Sequence, residues 1–153
     1  MKKQFIRSFI ALATASILTG TACAGDAAWL TNYDKAIEQA KAENKAVLLD
    51  FTGSDWCGWC IKMVKDTLSQ KEFTEYAAKN LVLVEVDFPN KKEQGEELKK
   101  QNAELQKKFD ANGFPTFVLL DKDGKELGRQ RGYLAGGPAA FIAKLDGFKP
   151  AAK

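Results

Sequence analysis

Two cysteines, Cys57 and Cys60, are separated by two residues within the stretch DFTGSDWCGWCIKM, residues 50–63. Pairs with this spacing exchange disulfides, bind metals, attach haem or form structural bridges. Haem attachment needs a histidine directly after the second cysteine, and the chain contains no histidine. A closed zinc site needs four Cys or His ligands, more than this pair supplies. Two thiolates can bind Cu(I), so a copper-binding module stays open as an alternative.

Disulfide exchange is the chemistry that the spacing favours. A disulfide closing so short a loop removes little entropy from the unfolded chain, so a purely structural bridge is disfavoured. If Cys57 begins the helix that runs through Met63, unpaired backbone N–H groups and the helix dipole stabilise its thiolate and lower the pKa of the thiol. Cys60 then lies one turn deeper on the same face, where it can resolve a mixed disulfide.

The N-terminal segment differs in composition from the rest of the chain. Residues 1–24 have the three parts of a secretory signal peptide, namely a basic start, an apolar run and the small-residue ending Ala22-Cys23-Ala24. We expect cleavage after Ala24, which leaves one domain over residues 25–153. A second interpretation makes Cys23 a lipidated N-terminus, although Gly20 stands where lipoprotein signals usually have an aliphatic residue.

The charge balance gives no reason to expect a nucleic-acid partner. The chain has 23 basic and 20 acidic residues, and the segment 1–24 contains basic residues only. The net charge of +3 therefore belongs to that segment, and the remainder is balanced. A content of 45% hydrophobic and 28% charged residues is typical of a globular domain.

Helical and strand patterns alternate along the rest of the chain. Apolar spacing and helix-forming residues predict helices over 29–44, 61–68, 91–110 and 136–148, and residues 70–80 either extend the second of these or restart it. Apolar and β-branched runs predict strands over 46–51, 81–88, 116–121 and 125–132. Strands separated by helices predict parallel crossovers, and the last hairpin adds an antiparallel edge. The fold class is therefore α/β, a mixed central sheet flanked by helices, with the cysteine loop at the carboxyl end of the first strand, where ligand sites lie in such sheets.

Two motifs carry a family resemblance. The strand LLDF followed by WCGWC, and much later GFPTFVLLDKDGK, together resemble the thioredoxin superfamily, more narrowly the secreted single-domain members from bacterial envelopes. The match runs over residues 45–148, and the two motifs at this separation are far more specific than a lone CxxC. The resemblance implies a thioredoxin-like fold and a thiol–disulfide oxidoreductase without cofactor or metal, in which Cys57 attacks and Cys60 resolves.

The resemblance assigns two further residues to the chemistry. Pro115 would be the family's cis-proline beside the disulfide, leaving the backbone of Phe114 free to pair with an extended substrate chain. Asp50 would be the buried carboxylate that accepts the proton of Cys60. The alternative for Asp50 is an acid at the strand end that caps the loop.

Three residues next to the cysteines complete the predicted substrate-binding surface: Trp56, Gly58 and Trp59. Trp56 would pack beside the disulfide, and its other interpretation is a plain core aromatic. Trp59 replaces the proline of thioredoxin and is a candidate contact for a partner. Six residues separate Asp50 from Cys57, one more than in thioredoxin itself, which puts the reach of Asp50 in doubt.

The expected partners follow from the same resemblance. They are cysteine-containing exported proteins as substrates and a membrane or periplasmic thiol as electron donor, with the domain acting as a monomer. A disulfide reductase is favoured, with the direction of electron flow left open between reductase, oxidase and isomerase. We expect the protein to be periplasmic or secreted after signal cleavage, or anchored as a lipoprotein through Cys23. The alternative function is a non-catalytic thioredoxin-like binding module or a Cu(I)-binding protein.

Overall fold

The computed structural model describes residues 28–150, and the predicted signal peptide and Cys23 lie outside them. The strands are β1 (Trp29–Leu30), β2 (Ala46–Thr52), β3 (Leu81–Asp87), β4 (Thr116–Leu120) and β5 (Glu126–Arg131). The helices are α1 (Tyr33–Glu43), α2 (Gly58–Met63), α3 (Lys71–Asn80), α4 (Glu96–Lys108) and α5 (Gly137–Asp146). A π-helical turn, Val64–Leu68, continues α2.

The five strands form one mixed sheet in the order β1-β3-β2-β4-β5. β1 and β2 are parallel to β3, whereas β4 is antiparallel to β2 and β5 is antiparallel to β4. The predicted mixed sheet is confirmed, but the parallel crossover predicted for the third strand is wrong. Because β4 runs antiparallel, it starts where β2 ends, and Thr116 lies opposite Phe51.

Helices cover both faces of the sheet, so the central strands are buried along most of their length. One core contains residues of α1 and α4 and alternate strand residues such as Leu49 and Val84. The other contains residues of α2, α3 and α5 and the intervening strand residues such as Leu48 and Leu83. Burial on both faces is why these strands read as continuous apolar runs rather than as an alternating pattern.

The helix predicted over residues 29–44 is shorter than expected. Trp29 and Leu30 pair with β3 as a two-residue edge strand. The Asn32 side chain then accepts the Lys35 N–H at 2.9 Å and so caps the start of α1. The apolar residues at 29 and 30 matched a helical period by coincidence, since their partners lie more than 50 residues away.

The predicted restart before residue 80 is confirmed, since the π-helical turn ends at Leu68, with the Ser69 N–H donating to the Val64 carbonyl at 2.9 Å, and α3 begins at Lys71. Another predicted helix differs in its bounds. The helix predicted over 91–110 is confined to Glu96–Lys108, and residues 91–95 form a loop. Within the described range no helix has the length and apolar character needed to cross a membrane.

Candidate active site

Cys57 and Cys60 form a disulfide at the start of α2, with their Cα atoms 5.2 Å apart. Cys57 is the N-cap of the helix, and its Sγ accepts the backbone N–H of Cys60 at 3.2 Å. Cys60 is 2% exposed and Cys57 is 7% exposed. The predicted arrangement, with Cys57 at the helix start and Cys60 deeper, is present.

Asp50 lies in the middle of β2 rather than at its end, so the loop-capping interpretation is wrong. It is on the same sheet face as Leu48, which packs in the core that contains Met63 of α2. The side chain is 4% exposed, and Oδ1 has no hydrogen-bond partner. Burial raises the pKa of Asp50 well above its usual value, and the neighbouring carboxylates of Glu85 and Asp87 add to that effect.

Glu85 pairs directly with Asp50 across the parallel strands β2 and β3. It is half-buried, and its pKa is raised by burial and then by the nearby Asp87. Sequence reasoning missed this residue, although the signal was the same as for Asp50, an acid inside an apolar strand. Two acids are thus adjacent on the sheet face that packs against α2.

The loop between β2 and α2 is held by its own polar side chains. The Asp55 carboxylate accepts the backbone N–H groups of residues 90–92, at 2.9, 2.7 and 3.1 Å. These hydrogen bonds, led by that from Asn90, lower the pKa of Asp55. Ser54 donates its N–H at 2.8 Å and its hydroxyl at 2.6 Å to the Asp87 carboxylate. This loop, which is one residue longer than in thioredoxin, is therefore hydrogen-bonded to the end of β3 and to the segment that follows it.

Directly before Cys57 in the chain, Trp56 packs with two other aromatic residues in what we call the aromatic wall: Trp56, Phe88 and Phe114. Trp56 is 46% exposed, so the core-aromatic interpretation is wrong. Its Nε1 donates to the Phe88 carbonyl at 2.7 Å, and its ring meets Phe114 edge-on at 5.8 Å. Phe88 stacks on Phe114 with centroids 5.2 Å apart. The Phe114–Pro115 peptide bond is cis, as the resemblance implies.

Between the two cysteines in the chain, Trp59 packs against Tyr133, with ring centroids 5.5 Å apart. Trp59 is 60% exposed, and Gly58 beside it faces open space. The residue before Tyr133, Gly132, donates its N–H to the Pro115 carbonyl at 2.8 Å. Both tryptophans next to the cysteines in the chain therefore pack against another aromatic ring.

Sequence reasoning missed the two aromatic residues that complete these contacts. Phe88 directly follows the carboxyl end of β3, where the rule used for the cysteine loop also applies. Tyr133 gave no such signal, since only the hairpin geometry brings it to Trp59.

The donor set offers little to a metal ion. Across residues 28–150 no group of three or more His, Cys, Asp and Glu side chains is close enough to hold one. A Cu(I) ion at this place would be bound by the two thiolates of Cys57 and Cys60 alone.

Comparison with known proteins agrees with this geometry. The family model described as "Thioredoxin-like domain" matches residues 33–149. The chain is similar to "Disulfide bond reductase DsbH" of Chlamydia pneumoniae, with 45% identity over 114 residues, covering 74% of this chain and 68% of that protein. It is also similar to "Thioredoxin-related protein DsbJ" of the same organism, with 34% identity over 101 residues, covering 66% of this chain but 29% of DsbJ.

A solved structure titled "DsbH Oxidoreductase" has the same fold. It superposes with a TM-score of 0.76 at 40% sequence identity, and the match covers 89% of this chain and 94% of that structure. The residues matched by the family model, 33–149, contain both the cysteine loop and the cis-proline segment.

Proposed function

The chain belongs to the thioredoxin-like domain family, and we propose that it reduces disulfides in exported proteins. Family membership and the CGWC pair make it a thiol–disulfide oxidoreductase. The observation that carries the exchange chemistry is the N-cap position of Cys57, whose Sγ receives the Cys60 N–H, and the reductive direction is proposed from the similarity to "Disulfide bond reductase DsbH". The same contact stabilises the Cys57 thiolate in the reduced form, because it brings a positive partial charge to the sulfur.

The reaction consists of two exchanges. The Cys57 thiolate attacks one sulfur of the substrate disulfide, forming a mixed disulfide and releasing the other sulfur as a thiolate. The Cys60 thiolate then attacks Cys57 Sγ, which forms the Cys57–Cys60 disulfide and releases the second substrate thiolate. The two released thiolates take up two protons, and a dithiol donor returns two electrons and two protons to the pair.

We propose that Asp50 accepts the proton that the Cys60 thiol loses. Its carboxyl group lies on the sheet face under α2 and has an unpartnered oxygen. A carboxyl group with a raised pKa can exchange a proton with a thiol near neutral pH. Glu85, beside it and partly exposed, would connect that proton to solvent.

The substrate chain is proposed to bind along the cis-proline segment. The antiparallel start of β4 brings Pro115 to the end of β2, next to the cysteine loop. An extended chain would pair with the backbone at Phe114, whose ring belongs to the aromatic wall.

Export and the electron donor are part of the same proposal. The expected signal peptide, residues 1–24, supports a function outside the cytoplasm, with the mature protein either free or anchored through Cys23. A reductase in an oxidising compartment needs a membrane or periplasmic dithiol to re-reduce it.

Reduction of insulin by dithiothreitol, with and without the purified domain, tests the proposal. We expect the wild type to accelerate the reaction, Cys57→Ser to be inactive, and Cys60→Ser to trap a mixed disulfide. The reduction potential, measured against glutathione, should lie below about −200 mV, toward the thioredoxin end of the known range.

Two results would contradict this function. A reduction potential of about −120 mV would indicate an oxidase instead. A wild type without turnover that binds Cu(I) tightly through Cys57 and Cys60 would favour the binding-module alternative.

A further inference from the structure

Trp59, between the two cysteines, is exposed, and its side chain is held by a contact with a neighbouring ring. Its indole is 60% exposed, and one face packs against the Tyr133 ring at 5.5 Å with an interplanar angle of 35°. A large aromatic ring held at the surface presents an apolar face without the entropy cost of fixing a mobile side chain. What holds Trp59 in place is therefore important for any substrate that contacts it.

Tyr133 is fixed by an ion pair on the helix that carries the cysteines. Its hydroxyl donates to Asp66 Oδ2 at 2.9 Å, and Lys62 Nζ lies 2.5 Å from the same oxygen. Lys62 Nζ also lies 5.2 Å from the centre of the Tyr133 ring. Hydrogen bonds from Lys62 and Tyr133 lower the pKa of Asp66, so this arrangement is charged and intact at neutral pH.

The π-helical turn contains the anchoring acid. Asp66 lies in Val64–Leu68, directly after α2, and the turn packs against α5 and the residues before it. The backbone of Gly132 meanwhile bonds to Pro115, so Tyr133 is tied to the cis-proline segment as well as to the helix. Irregular helical turns of this kind are frequent next to functional sites.

We propose that Tyr133, held by Asp66 and Lys62, positions the Trp59 indole as a platform for an apolar substrate side chain next to the attacked disulfide. This inference rests on the proposed reductase function and specifies its substrates. The preferred substrates are protein disulfides in extended segments with a large apolar or aromatic residue beside the cysteine. Tyr133 is a positioning residue, because it acts through Trp59.

Two synthetic peptide disulfides that differ only in having Phe or Ser beside the half-cystine test the proposal. The wild type, recycled with dithiothreitol, should show kcat/KM about fivefold higher for the Phe peptide, mainly through KM. Tyr133→Ala and Trp59→Ala should each reduce that ratio to about one. The double variant should lose no more than either single variant, since the two residues act as one unit.

Tyr133→Phe and a matched control separate positioning from general stability. Tyr133→Phe keeps the ring but loses the bond to Asp66, so an intermediate ratio is expected, and this variant is informative even where the alanine variant fails to fold. Tyr76 has the same kind of surroundings on another part of the molecule, a hydrogen bond to Asp146 and Lys149 Nζ at 5.1 Å from its ring centre. Tyr76→Ala should lower the melting temperature without changing the peptide ratio or the reduction potential.

A Tyr133→Phe or Tyr133→Ala variant with the full wild-type preference would overturn the proposal. A wild type that reduces both peptides equally would overturn it while leaving the reductase function in place. A wild type that reduces neither peptide nor insulin would overturn the reductase function and this inference together.

Discussion

At the scale of single residues, the burial of Asp50 lowers the folding stability of the protein. Its carboxyl group is buried on the sheet face under α2, with one oxygen unpartnered and two other acids, Glu85 and Asp87, on the same face. A buried carboxyl group without partners is stable only in its neutral form. Such a placement lowers folding stability, and its benefit would be a proton held close to Cys60.

Asp50→Asn should become progressively more stable than the wild type as the pH rises. Below the usual Asp pKa, the carboxyl group is neutral in both the folded and the unfolded chain, so the penalty is absent. Above it, the unfolded chain ionises while folded Asp50 keeps its proton, so wild-type stability falls until the raised pKa is reached. Urea unfolding at about pH 4.5 and pH 8 should show the difference shifting toward the variant by at least about 1 kcal/mol.

The exposed acid Asp123, in the turn between β4 and β5, provides the matched control, Asp123→Asn. A stability difference for Asp50→Asn that is the same at both pH values would contradict the neutral state of Asp50. In single-turnover experiments, Asp50→Asn should also slow the attack of Cys60 on the mixed disulfide by about tenfold or more. An unchanged rate would remove Asp50 from the proposed proton transfer.

At the scale of elements, the loop before Cys57 is fastened to the loop after β3. Asp55 binds three successive N–H groups there, and Ser54 binds Asp87. Trp56 adds a bond to Phe88, which stacks on Phe114 next to the cis-proline. The extra residue of this loop thus adds contacts between elements and does not leave a loose segment.

Asp55→Ala should release residues 90–92. Without the carboxylate, their amides lose an acceptor and should exchange with deuterium about tenfold faster or more, as measured by NMR on the oxidised protein. The same bonds lower the pKa of Asp55, so in the wild type they are present above the usual Asp pKa and are lost as the pH falls through the lowered value.

Asp123→Ala, which removes an acid from a different turn, is the control for this exchange experiment. Amides 90–92 that exchange at the wild-type rate in Asp55→Ala would show that the loop after β3 is held by other contacts, such as the Gln94 bond to the Asp87 carbonyl.

At the scale of the whole molecule, two cores on opposite sheet faces hold the site between them. Phe141 of α5 is fully buried and packs on Phe117 of β4 at 4.9 Å and on Phe73 of α3 at 5.7 Å. The same core includes Met63 of α2, so the helix that carries the cysteines is seated on it. Phe141 therefore supports the site through this core and is not one of the residues proposed for the redox chemistry.

Phe141→Ala should destabilise the protein by about 3–5 kcal/mol, since it leaves a cavity where three elements meet. Guanidinium unfolding measures this loss, and the reduction potential, measured where the variant is folded, should not change. Ile61→Ala, at a residue 50% exposed on α2, should stay within about 0.5 kcal/mol of the wild type. A loss below about 1 kcal/mol for Phe141→Ala would mean that α5 is not essential to this core.

The sequence alone predicted the features that depend on near neighbours along the chain. The redox pair follows from the spacing of Cys57 and Cys60, and the central strands follow from apolar runs that must be covered on both faces. The second motif, Gly113 to Thr116, together with the cysteine motif carried the resemblance to the thioredoxin superfamily. The cysteine spacing and the apolar runs are local patterns, which can be read from residues that are close in the chain.

Only the tertiary structure decided the direction of β4, the edge strand β1 and the contacts around the disulfide. The Ser54 bond to Asp87 joins residues 33 apart in the chain, and the Tyr133 bond to Asp66 joins residues 67 apart. Such contacts depend on which strand ends meet, and hydrophobic periodicity does not carry that information. The physical reason is that periodicity specifies which face of an element is buried, whereas topology specifies which side chains it meets.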